Sequence, residues 1–328
     1  MTPNCGLSSP WGLAIDGDGD VWTTDGDNDI SKFNAVGVPH SGSPYTGGGL
    51  INSLGIALNS DGNPWVTNGG GSPARISNLN SSGSPISGSE GYIGGGLTGS
   101  QAIALDASGN VWIADQDPPN GLSEFSISGS PNVNSPFTGG GLNVPQGIAI
   151  DVSGNVWCAD NGSNSISEFN SSGAANVSSP FTGGGLDAPQ GIAIDAAGNI
   201  WVANSGSSNG ISEFNSSGVP NGGSPFSSGN VNGSTTAIAI DGNGNVWATA
   251  DGSILEYSSS GTPITGSNGY QPGLYGLQGI AIDGSGNVWA TSFGGGTLTE
   301  LVGAAEPVVT PILANLLPPY GSHAVNKP

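Results

Sequence analysis

Positively charged residues are almost missing from this sequence. Only three of its 328 residues are lysine or arginine, and the formal net charge is −21. The three cations, Lys32, Arg75 and Lys327, are far apart in the chain. Because binding to phosphate groups requires clustered Lys and Arg, this absence excludes nucleic acid as a partner and disfavours anionic membrane surfaces.

Long apolar runs, histidine and cysteine are also scarce. No run of about 20 apolar residues exists, so no membrane span is predicted. Residues 1–10 have neither the basic nor the apolar region of a signal peptide, so a secreted chain would be present here in its mature form. Cys5 and Cys158 are the only cysteines. Cys158 holds a strand position that is small and apolar in other repeats, which predicts a buried hydrophobic side chain rather than a disulfide.

Glycine is the residue in which the chain is richest. The sequence has 60 Gly and 23 Pro, whereas charged residues make up only 8%, against about 25% in ordinary soluble domains. The glycines alternate with short apolar runs, a pattern typical of many strands joined by tight turns. A polar, cation-poor chain rich in Gly, Ser and Asn is similar in composition to bacterial secreted and surface proteins. An extracellular or cell-surface location is therefore predicted.

A repeat of about 45 residues organises the sequence. Seven of the eight tryptophans end a D-x-x-G-N-V-W motif or a variant of it, at spacings of 43, 47, 45, 44, 46 and 42 residues. They are Trp22, Trp65, Trp112, Trp157, Trp201, Trp247 and Trp289. This period is that of a four-stranded propeller blade. The sequence predicts an all-β fold, a single β-propeller with seven four-stranded blades. Six blades are the alternative, with repeat 2 degenerate because of its Asn59 and Pro64.

The fourth repeat shows the strands most clearly. Residues 147–150 form an apolar first strand, and residues 151–155 form a turn in which Gly154 supplies a positive φ. Residues 156–159 form the second strand and residues 166–169 the third, and the fourth lies around residues 179–186. We expect small residues of the first strand at the crowded ring centre and tryptophans in the core between blades.

The ends of the chain are expected to close the ring. The propeller is assigned to residues 1–306, and residues 307–328 to a closing strand and tail. Residues 6–10 match residues 141–145, so the N-terminus could complete the last blade. Residues 307–312 are the alternative closing segment. Either route would remove exposed sheet edges.

The repeat resembles a known family. Residues 148–151, 154–160 and 166–169 are similar to NHL-repeat propellers, above all to the bacterial streptogramin B lyase-like and gluconolactonase-like branch. The resemblance covers about residues 7–302. It implies a propeller fold, but the superfamily contains lyases, lactonases and binding modules. The lyase branch is implied to use histidines near a magnesium ion at the pore, and the lactonase branch a calcium held by acidic residues. His40 and His323 do not match pore positions, and no ring of acids is evident.

Two sets of polar residues are predicted at the mouth of the pore. The residue before the first strand is neutral in all seven repeats: Trp11, Leu54, Gln101, Gln146, Gln190, Thr236 and Gln278. The residue closing the second strand is mostly Asp or Asn: Asp25, Asn68, Asp115, Asp160, Asn204, Ala250 and Ser292. Such a mouth suits sugars or peptides through amide hydrogen bonds. The alternative is that these side chains bind the backbone of neighbouring loops.

Calcium is the only cofactor that the sequence suggests, and only weakly. Asp16, Asp18 and Asp20 alternate as in a calcium loop, and Asp25, Asp27 and Asp29 follow. However, the first run overlaps a turn found in every repeat, and Val21 stands where calcium loops place glycine. No cofactor and no metal site are therefore assigned.

Three functions remain open from the sequence. The first is an extracellular binding scaffold for a saccharide or protein ligand at the pore mouth, without catalytic residues. The second is a metal-dependent lyase or lactonase, which would require Asp25, Asp115 or Asp160 to converge with Asn68 or Asn204 on one ion. The third is a structural unit of an extracellular assembly.

Overall fold

The structure consists of seven antiparallel sheets, and the strands of each sheet are consecutive in the sequence. The computed structural model describes residues 6–207, 210–227, 234–271, 273 and 275–308. These residues form 24 strands, with no helix among the elements described. In that part of the chain, accordingly, no helix is long and apolar enough to cross a membrane.

Three strands recur in every sheet, in the order first, second, third from the ring centre outward. The first strands are β1 (Pro10–Ile15), β5 (Ser53–Leu58), β9 (Ser100–Leu105), β12 (Pro145–Ile150), β16 (Pro189–Ile194), β19 (Thr235–Ile240) and β22 (Leu277–Ile282). The second strands are β2 (Val21–Asp25), β6 (Pro64–Asn68), β10 (Val111–Asp115), β13 (Val156–Asp160), β17 (Ile200–Asn204), β20 (Val246–Ala250) and β23 (Val288–Ser292). The third strands are β3 (Asp29–Phe33), β7 (Arg75–Asn78), β11 (Gly121–Phe125), β14 (Ser165–Phe169), β18 (Gly210–Phe214), β21 (Ser253–Tyr257) and β24 (Thr297–Leu301).

The fourth strand is shorter than the repeat predicts. It has two residues in three blades: β4 (Tyr45–Thr46), β8 (Tyr92–Ile93) and β15 (Phe181–Thr182). In blades 3, 5 and 6 it is reduced to single bridges, made by Phe137, Phe226 and Tyr270. The described residues show no fourth strand in blade 7. In blades 1 to 4 the short strands follow from the sequence, because the Gly-Gly-Gly run soon after the aromatic residue takes positive φ values that cannot continue a ladder.

The seven-blade prediction is confirmed. First strands of consecutive blades pack against each other around the whole ring, and β22 packs against β1. The second repeat, despite Asn59 and Pro64, forms a complete blade. Each predicted core tryptophan is at most 1% exposed. Most of them pack between two blades, as Trp112 of blade 3 does against Val156, Cys158 and Phe169 of blade 4. Burial raises the pKa of the Cys158 thiol well above its usual value.

In six of the seven blades an aspartate fixes the core tryptophan to the turn of its own blade. The Oδ1 atom of Asp195 accepts the amides of Ala197 and Asn199, and its Oδ2 accepts the Trp201 indole N–H at 3.1 Å. The indole bond recurs at 3.0–3.4 Å in six blades. The D-x-x-G-N-V-W motif is therefore a hydrogen-bonded unit, which explains why its residues vary so little between blades.

Blade 2 lacks one bond of this unit. Its motif begins with Asn59, whose Oδ1 accepts the two turn amides, but among the described residues the buried Trp65 indole N–H has no acceptor. We expect Asn59→Asp to supply that acceptor and to raise the free energy of unfolding by about 1 kcal/mol. Urea denaturation of the variant checks this. The reciprocal change, Asp195→Asn, should destabilise by about 1–3 kcal/mol, and a destabilised Asn59→Asp would contradict the explanation.

The ring closes between blades 7 and 1. The Thr291 hydroxyl accepts the Gly279 amide at 2.8 Å and donates to the Trp11 carbonyl of blade 1 at 2.7 Å. Leu7 packs on Trp289 and Leu298 of blade 7, and Val308 packs in the core between blades 6 and 7. Of the two predicted closing segments, residues 6–9 and residues 307–308 are described outside β1, and neither adds a strand to β24. Residues 309–312 lie outside the described residues, as do Cys5, His323 and the rest of the tail.

Candidate functional site

A cavity of about 210 Å³ lies at the ring axis, among the first strands of all seven blades. Six side chains of the predicted neutral set line it: Trp11, Gln101, Gln146, Gln190, Thr236 and Gln278. Blade 2 contributes Gly55 and Ile56 to the lining rather than the predicted Leu54. The structure thus brings together the glutamines, which are almost 180 residues apart in sequence. Their binding of a ligand stays a prediction.

A local irregularity places each glutamine at the axis. In each blade the pairing of the first strand with the second shifts register near the glutamine position, as between Pro145 and Gly147 in β12. Such a bulge turns a side chain away from the regular alternation. The next residue is usually glycine, and a Cβ on Gly147 would lie 2.1 Å from the Gln190 carbonyl oxygen. At Gly147, glycine therefore allows β12 and β16 to approach more closely than a larger residue would.

Three of the four glutamines have unused hydrogen-bonding groups. Gln146 donates from Nε2 to the Gln116 Oε1 at 2.6 Å. Within the described residues, no hydrogen bond involves the side chains of Gln101, Gln190 or Gln278. Each of these half-buried amides carries both donors and an acceptor. The cavity wall is therefore neutral and able to exchange hydrogen bonds with a polar molecule.

The second predicted set lies elsewhere. Asp25, Asn68, Asp115, Asp160 and Asn204 are at most 1% exposed and do not line the cavity. Four of them, Asp25, Asp115, Asp160 and Asn204, lie beneath the loop that leads into the first strand of their blade and accept a backbone amide from it. Their binding of a ligand stays an untested prediction. The alternative, in which they bind loop backbone, describes their positions.

Their hydrogen bonds show how the loops are held. Asp115 accepts the Thr98 amide at 3.1 Å and the hydroxyls of Ser100 and Ser123 at 2.9 and 2.6 Å. Asn204 accepts the Asp187 amide at 3.1 Å and donates to the Ser212 hydroxyl at 2.9 Å. Aspartate and asparagine thus fill one structural role, and these groups are not free to converge on an ion.

Burial changes the acidity of two of these aspartates. Burial raises the pKa of Asp115 to about 7, although its hydrogen bonds from Ser123, Thr98 and Ser100 act in the opposite direction. Burial likewise raises the pKa of Asp160 to about 7, against the bonds from Ser167, Asn143 and Ser165. Both groups therefore titrate near neutral pH inside the loops rather than at a ligand-facing surface.

Three carboxylates of the acidic run that suggested calcium, those of Asp16, Asp20 and Asp25, are paired with protein groups. The Lys32 ammonium lies 3.1 Å from Asp16 and 3.0 Å from Asp20, and the same ammonium stands over the Trp22 ring at 4.9 Å. Asp25 accepts the amides of Ser8 and Ser9. The described ranges contain no group of three or more His, Cys, Asp or Glu side chains suited to a metal ion. Calcium binding at this run stays an untested prediction.

Two aromatic residues near the junction of blades 7 and 1 were not among those predicted from the sequence. Phe293 directly follows Ser292, at the same end of the blade as Trp11, and its ring meets the Trp11 ring edge to face at 5.7 Å and 86°. Tyr275 stands just before β22, and Phe293 donates its amide to the Gly276 carbonyl beside it. The available signal was that other repeats place Gly, Gln, Asn, Ser or Asp at the Phe293 position.

The fold has many relatives among solved structures, although no family model and no curated protein matches the sequence. A streptogramin B lyase is 19% identical with a TM-score of 0.68, covering 89% of this chain and 93% of that one. A protein described as a gluconolactonase is 14% identical with a TM-score of 0.55, covering 92% and 91%. The extracellular domain of a B. thetaiotaomicron protein described as a hybrid two-component system is 18% identical with a TM-score of 0.66, covering 92% of this chain and 40% of that one.

These likenesses establish one thing, the propeller fold. The resemblance that the repeat motif suggested, to propellers of the streptogramin lyase and gluconolactonase type, is confirmed at that level. At identities below 20% the chemistry has to be argued from this chain's own residues.

Proposed function

We propose that this protein is an extracellular or cell-surface binding module that holds a saccharide or protein ligand at the axial cavity. The observation that carries the proposal is the ring of neutral amide side chains around one cavity, three of them with unused hydrogen-bonding groups. A site of this kind favours a ligand with many hydroxyl or amide groups, because a ligand without them would leave the half-buried glutamine amides without hydrogen-bond partners.

The location outside the cytoplasm is part of the proposal. It is supported by the acidic composition with three cations in the chain and by the propellers of similar structure that are extracellular domains of proteins described as two-component and one-component systems. In those proteins the propeller is one part of a longer chain. A ligand-binding role of this type needs no catalytic group.

Catalysis is less well supported than binding. The lyase or lactonase hypothesis required aspartates and asparagines of several blades to meet at one ion. Asp25, Asp115 and Asp160 instead bind loops of their own blades, beneath the surface. An adhesive or structural role in an extracellular assembly also has no specific observation in its favour.

Replacing cavity glutamines tests the proposal. We expect Gln146→Ala and Gln190→Ala each to weaken ligand binding about tenfold, because a lost hydrogen bond in a half-buried site costs about 1–1.5 kcal/mol. Calorimetry with hits from a screen of oligosaccharides and peptides measures this. Gln271→Ala is the matched control, since Gln271 is exposed and outside the cavity lining. Equal affinity of all three variants would contradict a site at the axis.

A further inference from the structure

Exposed aromatic side chains occur near the junction of blades 7 and 1. Phe293 is 44% exposed and Tyr275 is 76% exposed, although large aromatic residues in this fold are otherwise mostly core residues. Trp11 is half-buried and lines the cavity, whereas the seven other tryptophans are at most 1% exposed. An aromatic side chain that stays exposed does not gain the free energy of burial when the chain folds. The presence of several such side chains here therefore points to a ligand that covers them.

These rings stand next to the amides. Trp11 and Gln278 occupy the same position in the first strands of blades 1 and 7, which pack against each other. A Cβ on Gly279, the residue after Gln278, would lie 2.6 Å from the Trp11 carbonyl oxygen. The edge-to-face contact of Trp11 and Phe293 joins a ring of blade 1 to a ring of blade 7 at this seam. One ligand could therefore contact an aromatic ring and a glutamine amide together.

The chemistry of the surroundings selects the kind of ligand. A net charge of −21 repels acidic polymers. A cationic methylammonium group would use the aromatic rings but would leave the amide donors of Gln278 and Gln101 unpaired. The hydroxyl groups of a neutral sugar are both donors and acceptors, as the amides are, and the C–H face of a pyranose ring packs flat on an aromatic side chain.

We propose that Trp11 and Phe293 form an aromatic platform against which a pyranose ring of a neutral oligosaccharide packs, with Gln278 and Gln101 binding its hydroxyl groups. The inference rests on the proposed function, because it names the ligand class of the same site. It assigns the aromatic contact to blades 7 and 1 and the polar contact to the axial cavity.

Tryptophan fluorescence tests the platform on the whole protein. Trp11 is the one tryptophan that acrylamide can reach easily, since the others are buried. Cellohexaose, chitohexaose, mannohexaose, xylohexaose and maltohexaose would be added in turn. We expect at least one of them to shield Trp11 from acrylamide, and Trp11→Leu to abolish the quenchable fraction. Phe293→Ala should weaken the binding of that sugar about tenfold, and Gln271→Ala should leave it unchanged.

The outcomes separate this inference from the proposed function. A sugar or peptide whose binding depends on Gln146 and Gln190, but which neither shields Trp11 nor responds to Phe293→Ala, would overturn the platform and leave the binding module standing. A peptide or a tetramethylammonium salt that shields Trp11, when no sugar does, would overturn the pyranose assignment. Absence of binding by every sugar and peptide would overturn both. Quenching of the wild-type protein distinguishes these outcomes even if Trp11→Leu folds poorly.

Discussion

Replacing Asp115 and Asp160 together by asparagine is expected to stabilise the protein at pH 8 and to leave its stability near pH 4 almost unchanged. Burial raises the pKa of both carboxyl groups from 3.8 to about 7. The folded protein therefore favours their protonated forms. Asparagine resembles the neutral acid in shape, and Asn68 and Asn204 already fill the same position in blades 2 and 5 with all their polar atoms bonded.

The direction of the pH dependence follows from proton binding. Between pH 4 and 7 the folded protein holds a proton on each of these groups that the unfolded chain has released, so the free energy of unfolding falls as pH rises. The contribution is fully present below about pH 4 and is lost by about pH 7 to 8. A shift of about three pKa units corresponds to ~4 kcal/mol per group as an upper figure. Burial also raises the pKa of Glu124, Glu168, Glu213 and Glu256, which adds to the same slope.

Urea denaturation between pH 4 and 8 measures this effect. The parent should lose several kcal/mol of stability across that range, and the double variant should show a shallower slope and gain about 2–4 kcal/mol per site at pH 8. The matched control is Asp18→Asn with Asp61→Asn, which removes two exposed charges from turns. If the control flattened the slope equally, net charge rather than burial would be the cause.

Gly173→Ala is expected to destabilise the protein strongly, whereas Gly139→Ala should have a small effect. Both glycines have positive φ values, +79° and +94°, so both substitutions strain the backbone by about 1 kcal/mol. A Cβ on Gly173 would lie 2.1 Å from the Phe137 ring, but a Cβ on Gly139 would have no atom within 4 Å. Since Phe137 stacks on Trp112 at 5.4 Å, it cannot withdraw without disturbing the core, and we expect a further 1–3 kcal/mol.

A double-mutant cycle identifies the cause. Phe137→Ala should itself cost about 3–5 kcal/mol, but Gly173→Ala should add little in that background because the obstructing ring is gone. Thermal and urea denaturation of the four proteins provide the measurement. Additive effects would show that the ring is not what excludes a side chain at Gly173. The same arrangement recurs between Tyr92 and Gly129 and between Phe181 and Gly218.

The sequence was sufficient to predict the fold because its most regular pattern, the repeated D-x-x-G-N-V-W motif, is also the hydrogen-bonded unit around which each blade is built. The period of the tryptophans follows from a turn in which an aspartate binds both the backbone and the indole, and such a unit cannot vary much. The fourth strands were overestimated, since a pattern shows an aromatic residue but not how many ladder bonds form around it. Residues Phe137, Phe226 and Tyr270 contribute packing with a single bridge each.

Site residues could be predicted only where their position in the repeat alone decides whether the side chain faces the ring axis. The position of Gln146 and its equivalents is set by the first strand and the ring axis, so their convergence follows from the repeat. The direction of Asp115 depends instead on the path of the preceding loop, whose Thr98 amide it accepts. The pairing of Phe293 with Trp11 depends on closure of the ring, which joins residues from opposite ends of the sequence.

The Thr291 bond to the Trp11 carbonyl has a consequence for how binding and stability are related. The seam between the last and first blades is the place where the ring can part without breaking the chain, and the same seam carries Trp11, Gln278 and Phe293. A ligand that contacts residues from both sides would be lost when the seam parts. Ligand binding and closure of the ring are therefore thermodynamically linked. A tight ligand would stabilise the closed propeller, and its release would remove that stabilisation.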